Sequence, residues 1–209
     1  MAVDLAGLVA PSTAAVLTME IQRGVVGDLT AFPQLREAAE RVGVVPNTTR
    51  VVEAARSFGI RVVHCTAEFR ADRAGTAVNC QLVAAVMRNP DHMLAGTPPA
   101  ELVPELGPEP EDLVCARRTG VSPFHGTALD TWLRNLGVTT VVATGVSVNL
   151  GVLGLVIEAV NHGYQVVVPR DAVAGIPAEY ADAVLDNTFP LVATVTTTDA
   201  LLEAWSVGA

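Results

Sequence analysis

The stretch Thr144-Gly-Val-Ser-Val-Asn-Leu-Gly151 decides the fold of this chain. It follows an apolar run at residues 141–143 and leads into an apolar helical pattern at residues 152–160. A strand, a tight glycine-containing turn and a helix in this order are typical of a βαβ unit. The first N–H groups of a helix have no partner inside it, so they can hold an anion or a developing oxyanion. We therefore predict a parallel sheet with a site at this turn.

The same alternation of apolar runs and helical patterns continues in both directions along the chain, which predicts repeated βαβ units. The predicted strands are 14–19, 61–65, 113–115, 140–144, 164–169 and 193–196. The predicted helices are 34–42, 45–58, 80–87, 128–136, 151–162 and 177–189, with a short last turn at 199–205. The continuous run Val166-Val-Val168 indicates a sheet covered on both faces. We predict a three-layer α/β/α fold with a central, mainly parallel six-stranded sheet in a single domain, residues 1–209.

The charge and hydropathy of the chain exclude two classes of partner. The formal net charge is −9 and no cluster of basic residues is present to neutralise phosphates, so a nucleic-acid partner is not expected. No run reaches the roughly 18 uninterrupted apolar residues of a membrane helix. No basic region precedes an apolar core near residue 1, so a secretory signal is not expected either.

Cysteine and histidine spacing bears on compartment and metal binding. The three cysteines form no CxxC pair and leave one over in any disulfide count, which predicts a reducing, cytoplasmic location. The four histidines show neither HxH nor HExxH spacing, so no metal site is expected. We expect no other cofactor and a small-molecule substrate.

Three motifs carry a resemblance to a known family. The 144–151 stretch, continued through residues 162–173, resembles the isochorismatase-like hydrolases. The apolar strand that ends in Glu20-Ile-Gln22 resembles the first-strand motif of that family. The run Arg117-Arg118-Thr-Gly-Val-Ser-Pro-Phe-His-Gly-Thr127 resembles its lysine-containing motif. The resemblance extends over about residues 14–200, with the motifs in the expected order, and implies a Rossmann-like α/β fold and hydrolase activity.

Each of the three catalytic positions that the resemblance implies holds a different residue in this chain. Most members of the family have a nucleophilic cysteine where this chain has Gly151, an aspartate where it has Glu20 and a lysine where it has Arg118. Isochorismatases proper also have glycine at the cysteine position and protonate a vinyl ether without a covalent intermediate. The resemblance thus implies Glu20 as general acid or base, Arg118 as the group that orients it or a substrate carboxylate, and Gly151 as room beside the turn.

These residues also have structural interpretations. Glu20 and Arg118 can form an ion pair that joins two strand ends, and Gly151 can serve close helix–strand packing. Arg117 alternates with Arg118 along the strand, so we expect it to face away from the site, into solvent. Cys65, near the end of the second strand, is the one cysteine placed to replace the missing nucleophile.

Further residues are predicted to bind substrate at the ends of the parallel strands, where ligands of such sheets lie. The resemblance implies a cis bond between Val146 and Ser147 that aims the Ser147 N–H into the pocket. Asn149 either contacts the substrate or caps the following helix. The predicted substrate-binding residues are Gln22, Arg70, Phe124, His125, Val146, Ser147 and Asn149. Of these, Phe124 is expected as a pocket wall, Arg70 as a cation for an acidic substrate, and His125 as a second acid–base residue or an exposed loop side chain.

Two functional hypotheses follow. The first is a hydrolase that acts on a small, anionic metabolite at a vinyl ether or amide-type bond by acid/base chemistry at Glu20. The second is a catalytically inactive relative that binds a metabolite or serves as an assembly partner. The apolar, valine- and alanine-rich composition and the resemblance both imply a homo-oligomer, a dimer or tetramer.

Overall fold

Seven parallel strands form the central sheet of the structure, a computed structural model that describes residues 4–207. The strands are β1 Ala14–Met19, β2 Arg61–Ala67, β3 Leu113–Arg117, β4 Thr140–Val146, β5 Gln165–Pro169, β6 Val173–Ala174 and β7 Thr194–Thr196. The order across the sheet is β3-β2-β1-β4-β5-β7, and the short β6 pairs with the end of β4. The six predicted strands are confirmed, whereas β6 was not predicted because two residues carry no detectable period.

Helices cover both faces of this sheet, which confirms the predicted three-layer α/β/α fold. They are α1 Leu5–Leu8, α2 Pro33–Val42, α3 Val44–Ser57, α4 Gln81–Met87, α5 Leu129–Asn135, α6 Leu153–Asn161, α7 Ala178–Ala183 and α8 Thr198–Val207. Helices α3 and α8 pack on one face of the sheet, and α5 and α6 pack on the other. Within residues 4–207, none of these helices has the length and apolar character needed to cross a bilayer.

Two of the predicted helices differ in detail from the structure. The predicted helix 151–162 begins instead with a π-helical turn, Val148–Val152, which continues into α6. The predicted helix 177–189 is divided into α7, a π-helical turn at Val184–Thr188 and a 3-10 turn at Phe189–Leu191. Pro190 explains the last change, because proline lacks the N–H that would continue an α-helical hydrogen-bond ladder.

The central strand β1 positions the candidate site. All six of its residues are buried, because its alternate side chains enter the cores on opposite faces of the sheet. Its last residue, Met19, is in register with Gly145 of β4. Gly145 has φ +105°, and a Cβ atom there would lie 2.1 Å from the carbonyl oxygen of Met19. Only glycine fits, and this close approach places the turn after β4 beside the end of β1.

A buried polar chain lies on the α3 side of the sheet. The Thr18 hydroxyl is 2.8 Å from Nδ1 of His64, and Nε2 of His64 is 3.2 Å from Oδ2 of Asp112. His64 is fully buried. Burial lowers the pKa of His64, and the neighbouring Asp112 carboxylate only partly offsets this effect. The imidazole is therefore neutral at neutral pH.

The two sheet cysteines, Cys65 of β2 and Cys115 of β3, are neighbours in register and only 1% and 2% exposed. Burial raises the pKa of both thiols. Because the thiolate is the nucleophilic form of cysteine, burial and the raised pKa both oppose a nucleophilic role for Cys65. Cys80, directly before α4, is exposed.

We predict that acidification destabilises the protein through His64. A histidine with a lowered pKa in the folded state binds its proton more readily when unfolded, so its stabilisation is complete above about pH 6.5 and is lost below it. Urea unfolding at about pH 7.5 and about pH 5.5 measures this loss, which reaches at most about 1.4 kcal/mol per pH unit for one proton. The slope against pH should decrease in His64→Gln. An unchanged slope in that variant would contradict the prediction, whatever its absolute stability.

We also predict that a single thiol, that of Cys80, reacts rapidly with Ellman's reagent in the native protein. All three cysteines should react once the chain is unfolded in denaturant. The variant Cys80→Ser should leave no rapidly reacting thiol. A rapid reaction that persists in Cys80→Ser and disappears in the double variant Cys65→Ala/Cys80→Ser would show that Cys65 is accessible after all.

Candidate active site

A pocket opens at the carboxyl edge of the sheet, with an empty volume of about 790 Å³ that includes its open mouth. Its polar lining comes from the ends of three strands: Glu20 after β1, Arg117 and Thr119 at the end of β3, and Ser147 after β4. Gly151, in the π-helical turn, also lines the pocket. The convergence of these distant segments follows from the parallel sheet, since all its strands end at one edge.

Glu20 and Arg117 form an ion pair in this pocket. Nη2 of Arg117 donates to Oε1 of Glu20, and Nε of Arg117 donates to the carbonyl oxygen of Gly120 at 3.2 Å. The side chains of Glu20 and Arg117 are 16% and 9% exposed. The pair therefore lies largely out of solvent, with two of the three guanidinium nitrogens already engaged.

The prediction that Arg118 faces Glu20 while Arg117 faces solvent is wrong. Along β3 the buried positions are Cys115 and Arg117, because side chains alternate between the two faces of a strand. Arg118 lies one residue beyond the strand and its side chain is 54% exposed, with Glu68 at 3.5 Å as its ionic partner. The period of β3, rather than the distance to the following motif, decides which arginine reaches the site.

Glu20 has an unusual backbone conformation. Its φ is +52°, in the left-handed region that non-glycine residues seldom occupy. Its backbone N–H donates to the carbonyl oxygen of Cys65 at 2.9 Å, which continues the β1–β2 hydrogen bonding one residue past β1. Strained residues of this kind are concentrated at functional sites, so the conformation is consistent with a functional position for Glu20.

The turn after β4 has the features that the resemblance implied. The Val146–Ser147 peptide bond is cis. A Cβ atom on Gly151 would lie 3.0 Å from Cε of Met19 and 3.1 Å from the carbonyl oxygen of Val146. These distances are shorter than ordinary van der Waals contacts, so the absence of a side chain at Gly151 allows the turn to pack closely against Met19.

Arg117 has a free hydrogen-bond donor. Its Nη1 atom is buried and, among the residues that the structure describes, has no hydrogen-bond partner. An unpaired buried donor is costly, which makes this atom the natural partner of an oxygen on a ligand. The ion pair uses Oε1 of Glu20, which leaves its Oε2 available as an acceptor.

Three residues that were predicted to bind substrate do not line the pocket and instead hold neighbouring backbone segments together or are buried. The Gln22 amide is fully buried and forms three hydrogen bonds, two with the backbone of Ala67 at 2.8 and 2.9 Å and one with the Ala100 oxygen at 2.7 Å. Asn149 donates from Nδ2 to the Ile176 oxygen at 2.9 Å, and so neither contacts the pocket nor caps the helix. Val146 is fully buried.

Three further predicted residues lie outside the pocket. Phe124 is buried in the core, where its ring stacks on His162 with 5.2 Å between ring centroids. His125 is exposed and does not line the pocket. Arg70 is exposed and pairs with Asp72 at 2.8 Å. The predicted contacts of Phe124, His125 and Arg70 are therefore corrected: the first is a core residue and the other two lie on the surface.

The apolar lining was not predicted from the sequence. It is contributed chiefly by α2, α4 and the loops next to β1 and β2. The weak signal was the apolar pattern of α4, where Leu82, Val83 and Val86 recur at helical spacing. Such a pattern shows that a helix has an apolar face but does not show whether that face lines a cleft. Among the described residues, no group of three or more His, Cys, Asp or Glu side chains is placed to hold a metal ion.

Comparison with solved structures shows the same fold in other proteins. A cysteine hydrolase from Pseudomonas syringae pv. phaseolicola 1448A superimposes with a TM-score of 0.82 at 22% sequence identity, over 95% of each chain. An isochorismatase family protein from Burkholderia thailandensis superimposes with a TM-score of 0.77 at 28% identity, over 93% of this chain and 96% of the other. The first likeness shows the fold alone, since its identity is low.

Curated relatives match shorter parts of the chain. The isochorismatase family protein YwoC of Bacillus subtilis (strain 168) is 36% identical over 104 residues, 50% of this chain and 54% of YwoC. A ureidoacrylate amidohydrolase of Methylorubrum extorquens (strain DSM 6343 / CIP 106787 / DM4) is 34% identical over 148 residues, 65% of this chain and 59% of its own. A probable inactive nicotinamidase of Arabidopsis thaliana is 34% identical over 144 residues, 65% of this chain and 69% of its own.

The first two of these relatives are thus matched over less than two thirds of their own length. The isochorismatase domain family, in contrast, matches residues 14–200 of this chain. That range includes the sheet from β1 to β7, the Glu20–Arg117 pair and the turn that carries Gly151. The chain therefore belongs to the isochorismatase family.

Proposed function

We propose that this protein hydrolyses a small molecule without a covalent intermediate, with Glu20 as the acid–base residue. The observation that supports this proposal most is the position of the Glu20–Arg117 pair, which lines an open pocket. Within residues 4–207, one guanidinium nitrogen of this pair has no hydrogen-bond partner. In this proposal Glu20 takes the role inferred from the sequence, and Arg117 takes the role inferred there for Arg118.

The proposed reaction of an amide proceeds in two steps. The Glu20 carboxylate accepts a proton from a water molecule while the water oxygen attacks the carbonyl carbon of the amide. The carbonyl oxygen becomes an oxyanion. The carbon–nitrogen bond then breaks, and the Glu20 carboxylic acid returns the proton to the departing amine. Nη1 of Arg117 donates to the oxyanion, together with N–H groups of the turn at Ser147 and Gly151. A donor in this position typically contributes about 10²–10³-fold to the rate.

The charge of the pair favours a neutral group at the reacting centre. The positive charge of Arg117 is already balanced by Glu20, and a substrate carboxylate placed there would be repelled by Glu20. A carboxamide instead presents an acceptor and a donor side by side, which matches Nη1 of Arg117 and Oε2 of Glu20. We therefore propose an amide-type bond rather than a vinyl ether, and no anionic group at the pair itself.

A second candidate function is binding without catalysis. Gly151 supplies no nucleophile, and the ion pair with Arg117 occupies one of the two Glu20 oxygens. A site of this kind can hold an amide without cleaving it. Similarity to the probable inactive nicotinamidase of Arabidopsis thaliana supports this candidate.

We further propose that the protein is a homo-oligomer in a reducing compartment such as the cytoplasm. Apolar side chains on the outer face of α6, Ile157 and Val160, are each 38% exposed, and Leu191 is 82% exposed. Large apolar side chains that are exposed in one subunit can be buried at a contact with a second subunit. The free cysteines Cys65, Cys80 and Cys115 support a reducing compartment.

We predict that Glu20→Gln reduces amide turnover by about 10²-fold or more, because the amide cannot accept the proton of water. Arg117→Ala should have an effect of at least similar size. Arg118→Ala is the matched control, since it removes the neighbouring, exposed guanidinium, and should change turnover by less than about twofold. Mass spectrometry of a panel of small amides and isochorismate measures all three variants.

Two outcomes would count against the proposal in different ways. Turnover that persists in Glu20→Gln, or that depends on Arg118 rather than Arg117, would show that the catalytic residues are assigned wrongly. Ligand binding by the wild-type protein without turnover of any substrate would support the binding function instead.

A further inference from the structure

Most of the pocket around the Glu20–Arg117 pair is apolar. Its apolar walls come from four places: α2 with the residue before it, the chain directly after β2, α4, and the loop after α4. The wall residues that matter here are Phe32, Leu35, Phe69, Val83, Val86 and Met93. Two aromatic rings, a thioether and three branched side chains form a surface that favours carbon over charge.

Charged side chains are scarce in this pocket. Among the lining residues that the structure describes, only Glu20 and Arg117 carry a charge, and they neutralise each other. A ligand with a second charged group, such as a dicarboxylate or a phosphate, would lose its hydration there without gaining an ionic partner. An apolar group would lose nothing and would remove apolar wall surface from water.

The polar lining of the pocket is confined to the strand ends near the ion pair. The rest of the pocket is therefore left for an apolar group. Helix α4 contributes Leu82, Val83 and Val86 to the lining and has Val83 as its one buried residue. These three side chains form the α4 wall, so their size determines how much space remains for the ligand.

We propose that the ligand is a neutral carboxamide with an apolar acyl body, such as a phenyl or branched alkyl group, and that α4 selects its size. This inference rests on the function proposed above only in taking the same pocket as the ligand site. The amide oxygen accepts from Nη1 of Arg117, the amide N–H donates to Oε2 of Glu20, and the acyl body lies against Phe69, Val83 and Val86.

The test is direct binding to the full-length wild-type protein, measured by calorimetry and ligand-observed NMR. The probes are benzamide, 3-methylbutanamide, acetamide, succinamate and benzoate. Benzamide and 3-methylbutanamide should bind at least about tenfold more tightly than acetamide, because each methylene in an apolar pocket contributes about tenfold or more. Both should also bind more tightly than succinamate, which has a carboxylate at the end of its acyl chain. Benzamide should bind more tightly than benzoate, which has a carboxylate in place of the amide.

Variants of α4 test the selecting wall. Val86→Phe keeps the wall apolar but narrows it, so binding of benzamide should decrease at least about tenfold more than that of acetamide. Val114→Phe is the matched control, because Val114 is 52% exposed on β3 and does not line the pocket. Circular dichroism and thermal unfolding confirm that both variants are folded. If Val86→Phe does not fold, Leu82→Ala serves instead, with a predicted loss of affinity for benzamide that acetamide does not share.

Several results would overturn the inference. These are equal or tighter binding of acetamide or succinamate, tighter binding of benzoate than of benzamide, no binding of any probe, or an equal effect of Val86→Phe on all amides. The outcome is separate from that of the catalytic proposal. Apolar amides that bind but are not cleaved would uphold this inference and refute hydrolysis of these amides, whereas efficient cleavage of small polar amides alone would do the reverse.

Discussion

The close contact between the ends of β1 and β4 is the constraint on which the candidate site depends. Gly145, the residue before the last in β4, lies so near the Met19 carbonyl that no side chain fits, and it has a φ of +105°. This contact brings Ser147 and Gly151 to the side of Glu20. The parallel register of β2 and β3 then adds Arg117 from the far side. The site is thus assembled by backbone packing, and the chemical groups are attached to a rigid sheet edge.

The choice of arginine matters to what this edge can do. A lysine would offer one mobile point charge, whereas the guanidinium has five N–H donors in a fixed plane. Arg117 uses two nitrogens to hold Glu20 and the Gly120 carbonyl, so the third is fixed in place and has no partner in the part of the chain that the structure describes. The result is an electrically balanced pair that still presents a donor and an acceptor. That combination suits neutral polar groups and explains why apolar walls can surround it.

The sequence predicted the strands well because two signals coincide there. The valine-rich runs are continuous, and turn residues bound them on both sides. The site was predicted less completely. Glu20, Ser147 and Gly151 lie in the pocket as expected, since each follows directly from the end of a strand or the start of a helix. Arg118 was predicted in place of Arg117 because the prediction followed the spacing to the next motif. The alternation of side chains along β3 instead determines which arginine points into the pocket.

Polar residues near strand ends were the other source of error. Gln22 and Asn149 have the right chemistry to bind a substrate, but backbone carbonyl groups of other segments accept hydrogen bonds from their amide nitrogens instead. Those partners lie far away along the chain: Ala100 is 78 residues from Gln22, and Ile176 is 27 residues from Asn149. Sequence patterns describe periodicity within an element, and they do not encode such pairings. The apolar walls were missed for a related reason, since an apolar helix face looks the same whether it covers a core or a cleft.

The left-handed backbone of Glu20 has a consequence for how this protein can change under selection. Asparagine and aspartate adopt that conformation more readily than glutamate, so either would relieve backbone strain at residue 20. Both side chains are one methylene shorter, and neither would hold Arg117 from the same point. The relief of backbone strain is worth about 1–3 kcal/mol, whereas loss of the carboxylate in an asparagine variant would leave the buried Arg117 guanidinium without its ionic partner, at a cost of about 3–5 kcal/mol. Libraries screened for thermal tolerance should therefore retain a carboxylate at residue 20, and libraries screened for ligand turnover should further distinguish glutamate from aspartate.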